Sequence, residues 1–218
     1  MLTFYYMPLS VNARRVWVAL LEKQIAFTPI ALNLDGDQFS PDFTAISPLQ
    51  RVPVIVDDGL RVVESFAILD YLEAKYPTPA LMPQDAATIA QVRMVMMIAL
   101  NELQPATLPL TCALVGLEIP PVKLEAAQQR IGTVLQFYEQ LLAGKPYFGG
   151  DRLTLADIVA GTLVPSLPMF GIALEKYPQL QAWSERLNQR PSWQETAPDP
   201  ETIVAALPTM KAILERRA

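Results

Sequence analysis

A proline break at Pro77-Thr78-Pro79 marks a change in the periodicity of this chain, and that change limits its architecture more than any other feature. Before it, short β-rich runs alternate with helical patterns. After it, strand signals largely stop. Leu2–Tyr6 is short, apolar and aromatic, as a buried strand is. Ala13, Val16, Trp17, Leu20 and Leu21 then share one helical face, with Arg14, Arg15, Glu22 and Lys23 mostly off it. Phe27–Leu34 reads as a second strand, and Pro29 assigns it to a sheet edge. Strand, helix and strand make a βαβ unit. The segment Asp35 to Pro48 is irregular, with one helical turn at Pro41–Ile46. Pro53–Asp57 and Leu60–Val63 flank the hairpin signal Asp58-Gly59, and a helix from Ser65 ends before Pro77. Later helical patterns cover Ala87–Leu103, Val122–Ala143, Thr154–Val164, Gln179–Gln189 and Glu201–Arg217. The expected organisation is a βαβαββα domain over residues 1–77, a linker over 78–86 and an all-α domain over 87–218.

Two absences narrow the chemistry. The 218 residues include no histidine, which removes Ser-His-Asp triads, Cys-His dyads and imidazole metal sites. Cys112 is the one cysteine, so no intrachain disulfide, Cys-x-x-Cys pair or cysteine zinc site can form, and no resident metal is expected. A reducing cytoplasm fits this usage. Lys and Arg total 17 against 22 Asp and Glu, a net charge of −5 that disfavours nucleic acid and anionic membranes as partners. Met1 to Tyr6 lacks the basic and apolar regions of a signal peptide. The longest uncharged stretch, Ile158 to Leu174, is broken by Gly161, Pro165, Pro168 and Gly171 and reads as a buried core helix and its exit.

Candidate residues sit where elements meet. Ser10, at the first strand-to-helix junction, is either an N-cap or a donor to an anion at that helix end; without histidine it lacks the usual base for nucleophilic use. Val52-Pro53 starts a strand after an irregular loop. It is either an ordinary trans proline or a cis site that turns the Val52 backbone outward to an extended peptide. Glu64 and Ser65 open the next helix, where they either cap it or bind an ammonium and a carboxylate. Thr154 and Asp157 form a capping box with Asp at N3, stapled by Leu153 and Ile158. Cys112, in the apolar segment Leu108 to Leu117, reads as a buried inert thiol. Met94, Met96 and Met97 read as core; methionine also suits a pocket for varied apolar ligands.

In this order the signals resemble the cytosolic glutathione transferase family across nearly the whole chain. The motifs that carry the resemblance are Ser47-Pro-Leu-Gln-Arg-Val-Pro-Val-Ile55, Val63-Glu-Ser-Phe-Ala-Ile-Leu69 and Phe148-Gly-Gly-Asp-Arg-Leu-Thr-Leu-Ala-Asp157. The resemblance implies a thioredoxin-like α/β N-terminal domain and an all-α C-terminal domain that forms the wall of an electrophile site between them. It is of the serine type, bacterial-like with a phi/theta-like Ser10-Val-Asn12 motif. It implies that Ser10 activates the glutathione thiol, with Asn12 assisting. Val52, before Pro53, would pair with the cysteinyl part, and Glu64 and Ser65 would hold the γ-glutamyl end. Gln38 and Arg51 would face the glycyl carboxylate. Met7, Leu9, Met94 and Met97 would meet small apolar electrophiles. The resemblance implies glutathione as co-substrate with no cofactor, a homodimer, a cytoplasmic detoxification enzyme and a possible peroxidase side reaction. Histidines used at the glycyl end by some classes are absent, and Tyr5 and Tyr6 make a tyrosine-type assignment the runner-up. A dedicated isomerase or dehalogenase, or a protein that binds glutathione or other ligands without turnover, are the alternatives on the same fold.

Overall fold

Strand β1 (Leu2–Tyr6) is central in a four-stranded sheet of order β2-β1-β3-β4, with β2 at Phe27–Ala31, β3 at Val54–Asp57 and β4 at Leu60–Val63. The structure is a computed structural model that describes residues 1–33 and 36–215. β1 pairs parallel to β2 and antiparallel to β3, which pairs antiparallel to β4. Pro29 lies on the edge strand β2, opposite Phe4, where its missing N–H costs no inner ladder bond. Helix α1 (Val11–Glu22) links β1 to β2. A 3-10 turn (Asp37–Phe39) and α2 (Pro41–Ile46) lead to β3, and α3 (Ser65–Lys75) follows β4. This is the expected βαβαββα order. Leu34, the expected end of the second strand, and Asp35 lie outside the described residues, as does Arg217.

The sheet and the two longer helices meet in a core of Leu2, Phe4, Val16, Leu20, Ile55, Ile68 and Leu72. Of the helical face read from the sequence, Ala13, Val16 and Leu20 are buried and Trp17 and Leu21 half-buried, while Arg15 and Lys23, read as off it, are buried as well. Arg15 is 0% exposed, its guanidinium 5.5 Å from the Phe66 ring centroid, and burial pulls its pKa down to about 10. At the far end of the sheet from β3's first residue, Asp57 is buried and accepts from Lys75 at 2.8 Å, Tyr76 at 2.9 Å and Tyr71 at 3.0 Å. Burial pushes this carboxyl up, but the three donors outweigh it and hold it below its ordinary value. The cluster ties the hairpin to the last turn of α3.

Two compact units emerge: Met1–Leu81 with Pro191–Pro198, and Met82–Arg190 with the stretch from Asp199. The sequence reading assigns all of 87–218 to the helical domain, whereas α9 (Pro191–Glu195) packs in the first unit. Arg14 donates to the Trp193 carbonyl and the Thr196 hydroxyl, both at 3.3 Å, and the Ser192 hydroxyl donates to Glu22.

The second unit is helical. It holds α4 (Ala86–Ile98), α5 (Gln104–Leu114), α6 (Pro121–Leu142), α7 (Leu155–Gly161), α8 (Pro178–Asn188) and α10 (Pro200–Glu215). The expected helix end at Leu103 is not an end: a π-helical turn (Ala99–Leu103) carries α4 into α5. Pro105 and Pro109 read as breakers in the sequence. The widened turn passes Pro105, whose ring and missing N–H do not fit an unbroken i→i−4 ladder. Among the described residues, the run Ala86–Leu114 is the one helix long and apolar enough to cross a bilayer, and 28% of its most apolar 18-residue stretch is buried. Cys112 lies on α5 and is half-buried rather than buried.

The core of this unit is α7, every residue of which is buried. The Thr154–Asp157 capping box is present, and Asp157 does more than cap. Its carboxylate accepts from the Thr154 N–H (2.8 Å) and hydroxyl (2.7 Å), the Phe148 N–H (2.9 Å) and the Trp183 indole (2.9 Å). Gly149 is needed beside it, because a Cβ there would lie 2.3 Å from Thr154 Cγ2.

Candidate active site

Sheet register decides which loops come together. Val54, the first residue of β3, lies opposite Tyr5 near the end of β1 and opposite Val63 at the end of β4. The segments just beyond these positions, Met7–Asn12, Arg51–Pro53 and Glu64–Ser65, therefore fall at one end of the sheet. They border a pocket of about 60 Å³ lined by Asn12, Ser47, Leu49, Arg51, Val52, Pro53, Val63, Glu64 and Ser65. The structure thus brings together Asn12, Arg51, Val52, Pro53, Glu64 and Ser65.

The pocket is electrostatically uneven. Asn12 is in the first turn of α1 and Ser65 begins α3, so two helix N-termini border it and favour negative charge. Arg51 adds an exposed cation and Glu64 an exposed carboxylate. Glu64 is the N-cap of α3 at φ 67, ψ 118, a sparsely populated backbone that costs on the order of 1–3 kcal/mol and is typical of ligand-holding residues. The Val52–Pro53 peptide is cis. Val52 precedes the first paired residue of β3, so the strand ladder does not use its backbone. A zwitterionic ligand with an extended peptide backbone matches these groups: carboxylates at the helix ends and Arg51, an ammonium at Glu64.

Ser10 lies beside this lining rather than in it. It is the N-cap of α1, and its hydroxyl accepts from the Ala13 N–H at 3.2 Å. That bond uses a lone pair and leaves the hydroxyl proton for another acceptor. Its own N–H donates to the Met7 carbonyl at 2.9 Å, a turn that returns the chain from β1 into α1. Met7 and Leu9 are half-buried, and the Leu9 N–H donates to Met7 Sδ at 3.0 Å. Gln38 is not among the lining residues: it is buried in its 3-10 turn, with its side-chain oxygen accepting from the Gly36 N–H at 3.2 Å. On α4, Met96 is buried while Met94 and Met97 are 38% and 45% exposed. Ser47, Leu49 and Val63 line the pocket without having been singled out. All three fall within the Ser47–Ile55 and Val63–Leu69 motifs, which was the available signal.

The glutathione S-transferase N-terminal domain model matches residues 4–80 and the C-terminal domain model residues 103–191. Glutathione S-transferase Z1 of Arabidopsis thaliana is 34% identical over 87% of this chain and 88% of its own. Maleylacetoacetate isomerase of Rattus norvegicus is 34% identical over 76% of this chain and 78% of its own. The solved theta class glutathione S-transferase of the citrus canker pathogen Xanthomonas axonopodis pv. citri, with glutathione bound, superposes with TM-score 0.80 at 29% identity, covering 91% of this chain and 97% of that one. With a thioredoxin-like first unit, a helical second one and these likenesses along most of its length, the chain belongs to the glutathione S-transferase family.

Proposed function

We propose that this glutathione transferase binds glutathione in the Asn12–Ser65 pocket and activates its thiol through Ser10. The observation that carries the reading is the convergence of two helix N-termini, one of them capped by Ser10, with Arg51 and Glu64 on one small pocket. Ser65 and the α3 amides take the γ-glutamyl carboxylate, Glu64 its ammonium, the Val52 backbone the cysteinyl part, and Arg51 the glycyl carboxylate. Gln38 is given no contact in this pose: it does not line the pocket, and its side-chain oxygen accepts from the Gly36 N–H. Ser10 donates to the sulfur, and Asn12 assists.

The energetics suffice without an imidazole. A free thiol of pKa ~8.5 is about 3% ionised at neutral pH, and lowering that value by two units makes it about three-quarters ionised. The stabilisation required is ~2.7 kcal/mol. A hydroxyl donating to a charged acceptor supplies roughly 1.5–3 kcal/mol, and a helix N-terminus adds about 0.3–1. Proximity does the rest, with an apolar electrophile held against the thiolate. Met7 and Leu9, next to Ser10, are the proposed electrophile contacts.

A second reading has one supporting observation, the likeness to the rat isomerase. In it the thiolate adds to a conjugated double bond, the resulting single bond rotates, and elimination returns the thiolate, so no glutathione is consumed. Steady-state assays over a panel of aryl halides, hydroperoxides and unsaturated diacids, with glutathione consumption measured alongside, test both. Saturable conjugation supports the first reading, and geometric isomerisation at constant glutathione the second. Tight glutathione binding with turnover on no substrate would defeat both and leave a binding protein.

The chain is further proposed to act as a cytoplasmic homodimer, in a compartment where glutathione is kept as a thiol. Met94, Met97, Leu108 and Leu114 present exposed apolar surface on α4 and α5, which suits a self-complementary contact. Sedimentation equilibrium at micromolar protein is expected to give twice the 24.2 kDa chain mass, and the chain mass alone would exclude the dimer.

A further inference from the structure

The pocket loop is held by a side chain that has no charge and faces away from solvent. Ser47 is 1% exposed, and its hydroxyl bonds the same residue twice: it donates to the Arg51 carbonyl at 3.0 Å and accepts from the Arg51 N–H at 3.3 Å. Its proton is therefore committed inside the loop, not offered to a ligand. The segment it closes is not regular structure. Gln50 sits at φ 54, its N–H donates to the Ser47 carbonyl at 2.8 Å, and its side-chain amide donates to Thr44 at 3.4 Å. The Ser47 N–H in turn donates to the Phe43 carbonyl at 2.7 Å, which anchors the staple to the end of α2.

We propose that Ser47 is a positioning residue for glutathione, fixing the backbone of Arg51 and hence the Val52 edge and the Arg51 side chain that face the pocket. The proposal rests on the glutathione reading above. The physical reason is preorganisation. Arg51 and Val52 precede β3 and have no ladder to hold them, so without the staple the loop must be ordered each time a ligand binds. Such a cost falls equally on ground state and transition state. It appears in KM for glutathione and not in kcat.

Ser47→Ala and Ser47→Val remove the hydroxyl, and Ser47→Thr keeps it. Kinetics below the melting transition of each variant, with amide hydrogen exchange, test the role. The expected result is a KM for glutathione raised about tenfold in the Ala and Val variants and restored to within about threefold by Thr, with kcat and the electrophile KM within about twofold. The Arg51 amide should exchange about tenfold faster in Ser47→Ala, with the β3 amides unchanged. A wild-type glutathione KM in a folded Ser47→Ala protein overturns the proposal. So does a general loosening, in which kcat, both KM values and the β3 amides change together. If the wild type shows no saturable use of glutathione, the functional reading has failed instead; the Arg51 exchange rate then still decides whether Ser47 holds the loop.

Discussion

Asp157→Ala is expected to destabilise the helical unit by at least about 3 kcal/mol, a fall in melting temperature of about 6–12 °C for a chain of this length. The carboxylate is fully buried and accepts four hydrogen bonds, from two groups of Thr154, from Phe148 and from Trp183. Alanine leaves those donors facing a void in a core where Phe148 and Trp183 pack ring to ring, and each stranded donor costs about 1–3 kcal/mol. Thr154→Ala removes one of the four donors and is expected to cost only about 1 kcal/mol. Thermal denaturation of both variants checks the ranking, and equal losses would show that Asp157 is a helix cap and nothing more. The pH dependence has a defined sign. Burial is the largest influence on Asp157 and raises its folded-state pKa above 3.8, although the donors pull it back. Its contribution to stability is therefore complete below the ordinary carboxylate value and is lost as pH rises through the folded one. Asp157→Asn should remove that decline.

Ser10→Ala is expected to raise the pKa of bound glutathione by one to two units, roughly 1.4–2.7 kcal/mol, because a hydrogen bond to the charged form lowers a pKa. The α1 N-cap is also weakened, since the Ser10 hydroxyl accepts from the Ala13 N–H. Turnover near neutral pH should fall by about threefold to twenty-five-fold, as the thiolate fraction does, and recover as pH rises through the new thiol pKa. Glutathione affinity should change little, because Glu64, Ser65 and Val52 are untouched. Ultraviolet difference titration of the thiolate reads the shift directly. Identical midpoints in wild type and variant would reduce Ser10 to a cap and move attention to Asn12, which lines the pocket itself.

The parts of the fold that the sequence discloses are those set by short-range physics. The Asp58-Gly59 turn is readable because both residues take the positive φ that a tight hairpin needs, 49° and 84°. The Pro29 edge strand and the Pro41–Ile46 helix follow from proline's missing donor and from Ser40 as N-cap. Helix α5 is hidden for the same kind of reason: Pro105 and Pro109 are local stop signals, and only the π-helical turn before them shows how the chain continues. Ser47 escapes notice because its hydroxyl looks like that of any loop serine until Arg51 is seen folded back on it.

Composition, periodicity and caps determined the two kinds of architecture in this chain and the loops that hold its chemistry, since each depends on residues within a turn or two of one another. The tertiary structure decided what those loops become together. The register of Val54 against Tyr5 and Val63 brings Asn12, Arg51 and Glu64 to one pocket across more than fifty positions of sequence. It buries Arg15 on a helix whose neighbouring residue Arg14 is bonded to Trp193 and Thr196 from the other end of the chain. It turns Asp157 from a capping residue into an acceptor for Trp183, 26 positions away. Hydrogen bonds and buried contacts between distant segments form only after the chain has closed on itself, so no local pattern encodes them.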